Sequence, residues 1–351
     1  MQLEEFIGQI QPLDEQSMIS ARMRQDMLTK PNASLGRLEE LSIQLAGITA
    51  NPFPSVERKT VIVMAAHHGV VVEGVSAYPA EVTPQMVLNF LHGGAAINVL
   101  ARQANARVVV VDMGVASEIE DASGELVRRK IGPGTANLAK GPAMTREQAI
   151  ESIQSGIEIG EAEIARGADI LATGDMGIGN TTPSAAIACA LMKRAPESIV
   201  GRGTGVDDAG FKRKINVIRR ALELNKPNAN DALDVLTKVG GFEIGGLVGV
   251  VLAAAANRKP VVIDGFISTA AAMIAASLAP ATRGYIIAAH VSQERGHKLM
   301  LEWLGLKPLL DLNLRLGEGT GAALAFHLIE ASTRILREMA TFREAGVSDK
   351  E

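Results

Sequence analysis

The stretch "DILATGDMGIGNTTPSAA", residues 169–186, decides the fold of this chain. Its first six residues are a short, mainly apolar run, typical of a strand that is buried on both faces. A glycine-rich turn follows, and Thr182 and Pro183 then suit the N-cap and first position of a helix. A strand, a tight turn and a helix in this order form the repeating unit of a parallel α/β sheet.

The same unit recurs along most of the chain. Short apolar runs without strict alternation predict strands at 60–66, 107–114, 169–174, 198–203, 260–266 and 285–290. The segments between them carry patterns that predict helices at 145–166, 183–194, 207–224, 245–256, 268–279 and 292–304. This alternation predicts an α/β protein with a doubly wound, mostly parallel sheet.

The two ends of the chain have a different pattern. Residues 1–50 contain helical segments, and residues 320–343 form a further amphipathic helix. No strand separates these ends from the edges of the predicted sheet. We therefore expect a catalytic core over residues 58–305, and a small helical domain formed jointly by residues 1–57 and 306–351.

The composition disfavours several classes of partner. The 351 residues carry a formal net charge of -4 and only 3% are aromatic, which argues against a protein that binds nucleic acid or anionic membranes. The longest apolar runs are too short to span a bilayer. The single cysteine, Cys189, lies in an apolar helical run and is expected to be buried and unreactive. One cysteine also suits a reducing compartment, and we expect a cytoplasmic protein.

The loop after the strand at 169–174 predicts a phosphate-binding site. In open parallel sheets, ligands bind beyond the carboxyl ends of the strands. Gly177 and Gly179 allow a tight turn with exposed backbone N–H groups, and Asn180 and Thr181 add side-chain donors. The alternative interpretation is a simple strand-to-helix turn without a ligand.

A second loop, "GRGTGVDDAGFKRK" (201–214), repeats the pattern. Its helix has an apolar stripe flanked by Lys214, so this lysine is placed to lie along the protein and add a positive charge to the same phosphate site. The alternative is an ordinary solvated lysine on a helix surface. Gly203 lies in the glycine-rich part of this loop.

Glu318 stands between two glycines in "LRLGEGTGAALA" (314–325). Leucines alternate with polar residues before it, which predicts an extended approach, and the last helix begins at Thr320 or Gly321. The helix dipole is expected to keep a carboxylate ionised at this position, where it can accept a proton. The alternative is an acid that only stabilises the first turn of the helix.

Several familiar motifs do not occur in this sequence. It contains no GK[ST] phosphate loop, no GxGxxG followed by an acid about 20 residues later, and no serine nucleophile elbow. The adjacent His67 and His68 lie on a segment predicted to be extended, so their side chains point in opposite directions. We therefore expect neither a metal site nor a cofactor, and an NAD-dependent oxidoreductase is disfavoured.

Taken together, seven segments resemble the nicotinate-nucleotide–dimethylbenzimidazole phosphoribosyltransferase family in order along the chain. They are "KPNASLGRLEEL" (30–41), "HHGVVVEGVSAYPAEVTPQMV" (67–87), "GGAAINVLA" (93–101), "GDMGIGNTTPSAA" (174–186), "KVGGFEIGGLVGV" (238–250), "VVIDGFISTAAA" (261–272) and "LRLGEGTGAALA" (314–325). The resemblance implies a Rossmann-like core, a small helical domain made from both chain ends, and a homodimer. It also implies transfer of the phosphoribosyl group of nicotinate mononucleotide to 5,6-dimethylbenzimidazole, in the assembly of the cobalamin nucleotide loop.

The resemblance also implies roles for individual residues. Glu318 matches the family's general base, and Asp175 matches the acid of its glycine loop. The phosphate and ribose side would comprise Met176, Gly177, Ile178, Gly179, Asn180, Thr181, Thr182, Gly203 and Lys214. The pocket for the aromatic base would be lined by Ser76, Tyr78, Pro79, Gln85, Met86 and Leu316.

The chain departs from the family pattern at three positions. The family usually has Asp where this chain has His67, Glu where it has Asp175, and Gly where it has Ala33. These changes leave three alternatives open. The chain could use 5,6-dimethylbenzimidazole, run the same chemistry on a purine or phenolic base, or bind nucleotide without catalysis.

Overall fold

The computed structural model describes residues 3–121, 123–203 and 205–348. Its centre is a six-stranded parallel sheet in the order β3-β2-β1-β4-β5-β6. The strands are β1 (Lys59–Ala66), β2 (Ala106–Gly114), β3 (Val127–Arg128), β4 (Ile170–Met176), β5 (Val261–Ile263) and β6 (Ile286–Ala288). The predicted fold class is confirmed, and the strand order is that of dinucleotide-binding α/β folds.

Helices occupy most of the remaining chain. Over the described residues they are α1 (Leu3–Ile7), α2 (Glu15–Met27), α3 (Arg37–Thr49), α4 (Val82–Leu91), α5 (Ala96–Gln103), α6 (Arg146–Ala165), α7 (Thr181–Met192), α8 (Pro196–Ile199), α9 (Asp208–Asn225), α10 (Ala232–Val239), α11 (Phe242–Ala256), α12 (Phe266–Leu278), α13 (His297–Leu304), α14 (Thr320–Glu338) and α15 (Phe342–Ala345). Two 3₁₀ helices span Gly69–Glu73 and Pro280–Tyr285. None of the described helices is long and apolar enough to cross a bilayer.

Both faces of the sheet are covered because its central strands are apolar on both sides. Every residue of β1 is buried. Met64 packs close to Gly246 of α11, whereas Val61, three residues earlier, packs close to Gly319 before α14. Residues three apart on a strand point to opposite faces, so α11 and α14 cover different sides.

The chain order reverses between β1 and β4, which are neighbours in the sheet. From β1 the chain runs outward to β2 and β3, and it then returns to continue on the other side through β4. The loops after β1 and β4 therefore diverge and leave a crevice at their carboxyl ends. Ligands of doubly wound sheets bind at such a point.

The strand predicted at 198–203 is wrong. Helix α8 ends at Ile199, and the chain continues as an irregular loop. Pro196 begins that helix, where its fixed φ is favourable, and Gly201 and Gly203 then interrupt regular structure. The short β3 was not predicted, because two residues carry no periodicity.

Two helix starts also differ from the predictions. Asn180, rather than Thr182, is the N-cap residue of α7, so Pro183 lies within the first turn. Helix α13 begins at His297 instead of 292, because residues 292–296 form turns at the edge of the cleft described below.

Helices from the two ends of the chain are in contact. Ala21 of α2, Ala46 of α3 and Leu336 of α14 form a small buried cluster. Leu28 and Thr341 form an antiparallel bridge, which joins the segments after α2 and α14. The division into a core and a helical domain at the predicted boundaries stays a prediction.

Candidate active site

A cleft of about 480 Å³ opens at the carboxyl ends of the strands. Its walls come from the loops that follow β4, β5 and β6, from the segment before α14, and from the loop that carries Tyr78. The lining residues are Tyr78, Asp175, Asn180, Thr181, Gly203, Gly265, Phe266, Ile267, His290, Ser292, Glu294, Asn313, Leu314, Arg315, Leu316 and Gly317. The cleft therefore lies where a doubly wound sheet binds its ligand.

Glu318 lies next to this wall in an unusual turn. Gly317, Glu318 and Gly319 all have positive φ, at 85°, 66° and 95°. The backbone of the turn rests directly on β4, where a Cβ at Gly174 would collide with the carbonyl oxygen of Glu318. The predicted helix start at Thr320 is found, whereas the approach is an irregular segment rather than a continuous extended one, because Asn313 has a φ of 57°. Glycine at 174 and on both sides of Glu318 thus lets one carboxylate lie against the sheet.

The electrostatic expectation for Glu318 is wrong. Burial raises the pKa of this carboxyl group, and the charge of Asp264 raises it further. The N–H of Ile97, in the first turn of α5, donates to Glu318 Oε2 at 3.3 Å and acts in the opposite direction. The effect of desolvation on this pKa is therefore larger than the opposing effect of the nearby helix N-termini. A raised pKa makes Glu318 a stronger proton acceptor once it is ionised.

Asp175 lies beside this turn and is also buried. Asn180 Nδ2 donates to its Oδ2 at 2.9 Å, whereas its Oδ1 has no hydrogen-bond partner. Burial raises the pKa of Asp175 well above its usual range, with further contributions from the charges of Asp264, Glu243 and Glu318. The neutral acid is therefore favoured at this position.

Asp264 and His290 were not predicted as site residues. Asp264 follows β5, and it accepts the N–H groups of Ala322 at 3.0 Å and of Gly319 at 3.3 Å. His290 follows β6, and its Nε2 lies 3.8 Å from Asp264 Oδ1. The available signal was position: both residues lie at the carboxyl ends of predicted strands, at the same edge of the sheet as Asp175.

The predicted phosphate-binding residues from the two loops meet at one end of the cleft. Lys214 is completely buried, and its Nζ donates to Thr181 Oγ1 at 2.7 Å. A Cβ at Gly203 would lie 3.0 Å from that nitrogen, so the two loops touch. Burial lowers the pKa of Lys214 to about 8, although nearby Glu294 acts to raise it. The alternative interpretation, a solvated lysine on the helix surface, is thus excluded.

Glu294 was also missed by the sequence reasoning. Its Oε1 accepts the Gly203 N–H at 2.8 Å, and its buried Oε2 has no partner. The carboxylate lies close enough to Lys214 to influence its titration. It therefore fixes the loop that brings Gly203 to the lysine.

The rest of the glycine loop packs into the protein. Gly177 lies against β1, Gly179 has a φ of 89° next to Val71, and the Ile178 N–H donates to Thr83 Oγ1 at 3.1 Å. Thr182 is buried and Met176 is half-buried. These residues shape the loop, and Asn180 and Thr181 are its members that line the cleft.

Two of the six residues predicted for the base pocket line the cleft. They are Tyr78 and Leu316, both with exposed side chains. Ser76 supports the first of them, because its Oγ accepts the Tyr78 N–H at 3.2 Å. The others lie outside the cleft lining, with Pro79 and Gln85 exposed and Met86 half-buried.

The two adjacent histidines point in opposite directions. His67 Nδ1 accepts the Ala116 N–H at 3.0 Å, so its Nε2 carries the proton and donates to the Ala80 carbonyl at 3.1 Å. His68 Nε2 pairs with Glu243 Oε1 at 2.7 Å in the interior. His67 thus holds the segment that carries Tyr78.

The fold and the cleft define a Rossmann-like α/β protein with a cleft at the switch point of the sheet. The sequence profile of a phosphoribosyltransferase family matches residues 10–347. The nicotinate-nucleotide–dimethylbenzimidazole phosphoribosyltransferase of Chloroflexus aggregans is 60% identical, with 99% of each chain aligned, and that of a Roseiflexus species is also 60% identical, over 99% and 98%. The crystal structure of the Thermus thermophilus protein of that name has 49% identity and a TM-score of 0.92, covering 96% of this chain and 100% of its own.

The chain therefore belongs to the nicotinate-nucleotide–dimethylbenzimidazole phosphoribosyltransferase family. The resemblance drawn from its seven segments is confirmed. As a member of this family it is a phosphoribosyltransferase that acts on small molecules.

Proposed function

We propose that this enzyme transfers the phosphoribosyl group of nicotinate mononucleotide to 5,6-dimethylbenzimidazole. The products are nicotinate and α-ribazole 5′-phosphate, which is a precursor of the cobalamin nucleotide loop. Membership of the family supports the reaction. The observation that carries it is the buried Glu318 carboxylate, placed beside a cleft whose other end holds a buried lysine.

On the acceptor side we assign Glu318 as the general base. One nitrogen of the benzimidazole attacks the anomeric carbon, and the ring gains positive charge as the bond forms. Glu318 removes the proton from the other ring nitrogen and so relieves this charge. A positioned base of this kind contributes about 10²–10⁴-fold to the rate.

On the donor side the leaving group is already activated. The nicotinate of the donor is a pyridinium, and it departs with the bonding electrons, which neutralises its ring nitrogen. The reaction therefore needs no acid to protonate the leaving group. Attack from the opposite face inverts the anomeric centre and gives the α-linked product. Holding the two rings close to attack distance supplies much of the remaining acceleration.

The donor phosphate is assigned to the end of the cleft where the two loops meet. Lys214 offers its ammonium group there, with Thr181, Asn180 and the backbone of Gly203 around it. Asp175 lies between this end and Glu318, and we assign it to the face of the ribose. Because its neutral form is favoured, it would meet the sugar as a hydroxyl rather than as a charge.

The acceptor ring is assigned to the side of Tyr78 and Leu316. Both side chains are exposed at the mouth of the cleft, so they can pack on either face of a flat ring. A purine or a phenol has a similar shape, and a phenol would lose its proton to the same carboxylate. We further propose that the enzyme acts as a homodimer in the cytoplasm.

The direct test incubates the purified protein with nicotinate mononucleotide and an equimolar mixture of dimethylbenzimidazole, adenine and p-cresol. Release of nicotinate and the mass of each ribotide identify the reaction and the preferred base. We expect α-ribazole 5′-phosphate as the main product. Tight binding of the mononucleotide without any ribotide would instead support a non-catalytic nucleotide-binding protein.

A further inference from the structure

Asp264 holds the turn that carries Glu318. The Gly319 N–H donates to its Oδ2 at 3.3 Å, and the Ala322 N–H donates to its Oδ1 at 3.0 Å. These donors lie at the start of α14, where backbone N–H groups have no partner within the helix. Asp264 is fully buried, and the cleft is lined by the next residue, Gly265. The Asp264 carboxylate thus contacts the turn from the protein interior, behind the residues that line the cleft.

The turn needs such support because its backbone is strained. Glu318 has a φ of 66°, a left-handed conformation that is unfavourable for a residue with a side chain. It stands between two glycines, which resist deformation least. A conformation of this kind persists only where its surroundings impose it. Asp264 bonds the turn at Gly319, and the backbone of β4 supports it under Glu318.

The charge of Asp264 acts on the same group. Burial raises the pKa of Asp264, whereas His290 and the N–H groups of Ala322, Gly321 and Gly319 lower it. Glu318 faces the Asp264 charge and the Ile97 N–H, and Asp175 faces Asp264, Glu243 and Glu318. An ionised Asp264 therefore raises the proton affinity of Glu318.

We propose that Asp264 is a positioning residue for the reaction, which fixes the 317–319 turn through one hydrogen bond to Gly319 and one to Ala322 in the first turn of α14, and so aims the Glu318 carboxylate. This inference rests on the proposed function, because it acts through Glu318 as the base. It requires Asp264 to control both the position of that carboxylate and the pH at which it becomes ionised.

The test is the Asp264→Asn variant. Asparagine offers only one oxygen acceptor and turns its amide hydrogens toward an N–H donor, so one of the two bonds that hold the turn and the start of α14 is lost. We expect kcat to fall about 100-fold, as a displacement of about 1 Å can cause, with little change in KM for nicotinate mononucleotide. Loss of the charge should also move the acid limb of the kcat–pH profile to lower pH.

Asp112→Asn is the matched control. Asp112 is also fully buried at the end of a strand, and it accepts the N–H groups of Gly114 at 3.0 Å and Val115 at 2.8 Å. Both bonds reach Oδ1, which asparagine keeps, so Asp112→Asn removes a buried carboxylate and should leave the acid limb in place. His290→Gln is a second variant, because removing the histidine raises the pKa of Asp264 with its backbone bonds intact. His290→Gln should therefore shift the acid limb of the kcat–pH profile in the same direction as Asp264→Asn does.

Carbon-13 NMR of labelled glutamate follows the pKa of Glu318 without any need for turnover. A lower Glu318 pKa in Asp264→Asn, with the control unchanged, supports the inference. The inference would be overturned if Asp264→Asn had the same kcat, the same acid limb and the same Glu318 pKa as the wild type. If the wild-type protein released no nicotinate, the proposed function would fail, and the NMR result would still decide whether Asp264 controls Glu318.

Discussion

Glu318, Asp175 and Lys214 show how burial sets the chemistry of single residues in this enzyme. The pKa of each group is shifted in the direction that favours its neutral form, because desolvation is the largest contribution in all three cases. The types and positions of these residues could be predicted from the sequence. Their proton affinities could not, because burial depends on segments that are distant in the chain, such as Gly174 below Glu318.

Lys214→Met should weaken binding of the donor. Losing a charged hydrogen bond to phosphate costs about 1.5–3 kcal/mol, so KM for nicotinate mononucleotide should rise about 10- to 100-fold. Because the pKa of Lys214 is lowered to about 8, its charge is present below that pH and lost above it. In the wild type, kcat/KM for the donor should therefore decline as the pH rises past about 8. Lys212→Met, at an exposed position two residues earlier in α9, is the control and should change neither quantity.

Ala33→Gly should stabilise the protein. Ala33 has a φ of 59°, a left-handed conformation that glycine adopts freely. Relief of this strain, less the greater freedom of glycine in the unfolded chain, should raise the free energy of unfolding by about 0.5–1 kcal/mol. Denaturant titration measures the change. The same substitution at the exposed Ala162, inside α6, should cost about 1 kcal/mol, and equal effects at both sites would contradict the strain argument.

At the scale of elements, the turn before α14 and strand β4 form one unit. The backbone of Glu318 rests on Gly174, so strand and turn are separated by less than one side chain. Helix α6 was predicted to within one residue at each end, whereas the helix predicted over 320–343 begins as expected but ends at Glu338, before the separate α15. The segment 198–203 was mistaken for a strand because its apolar residues are buried by contacts outside the sheet. Burial alone does not distinguish a strand from an irregular loop.

Gly174→Ala should reduce activity by displacing the turn that carries Glu318. The new Cβ would collide with the Glu318 carbonyl oxygen, which must shift away from β4. We expect kcat to fall about 100-fold, because a shift of about 1 Å in a catalytic group has an effect of this size. Gly141→Ala is the control, since a Cβ there meets open space. A Gly174→Ala enzyme with wild-type kcat would show that the contact is not needed.

At the scale of the whole molecule, the strand order brings the site together. β1 and β4 are neighbours although about 100 residues separate them. Most of the candidate residues follow predicted strands in the sequence. Because ligands of such sheets bind at the strand ends, these residues could be predicted to lie together. Three residues of the site could not be predicted from the sequence, because each is a single polar residue whose role depends on a partner elsewhere in the fold. They are Asp264, His290 and Glu294.

Asp175→Asn should change how stability depends on pH. The folded-state pKa of Asp175 is raised, so the folded protein binds this proton more tightly than the unfolded chain does. Stability from this group is lost as the pH rises from the usual range of an aspartate toward its raised value. The variant should match the wild type in acid and become the more stable of the two proteins as the pH rises. Thermal unfolding across pH measures this, and a constant offset between the proteins would contradict it.

The most direct test of the account is the kcat of Glu318→Gln for nicotinate release with saturating dimethylbenzimidazole. Glutamine keeps the size of the side chain and cannot accept the proton. The account predicts a fall of about 10²–10⁴-fold, with the acid limb of the pH profile lost. Undiminished turnover with the acid limb in place would contradict the assignment of Glu318 as the base.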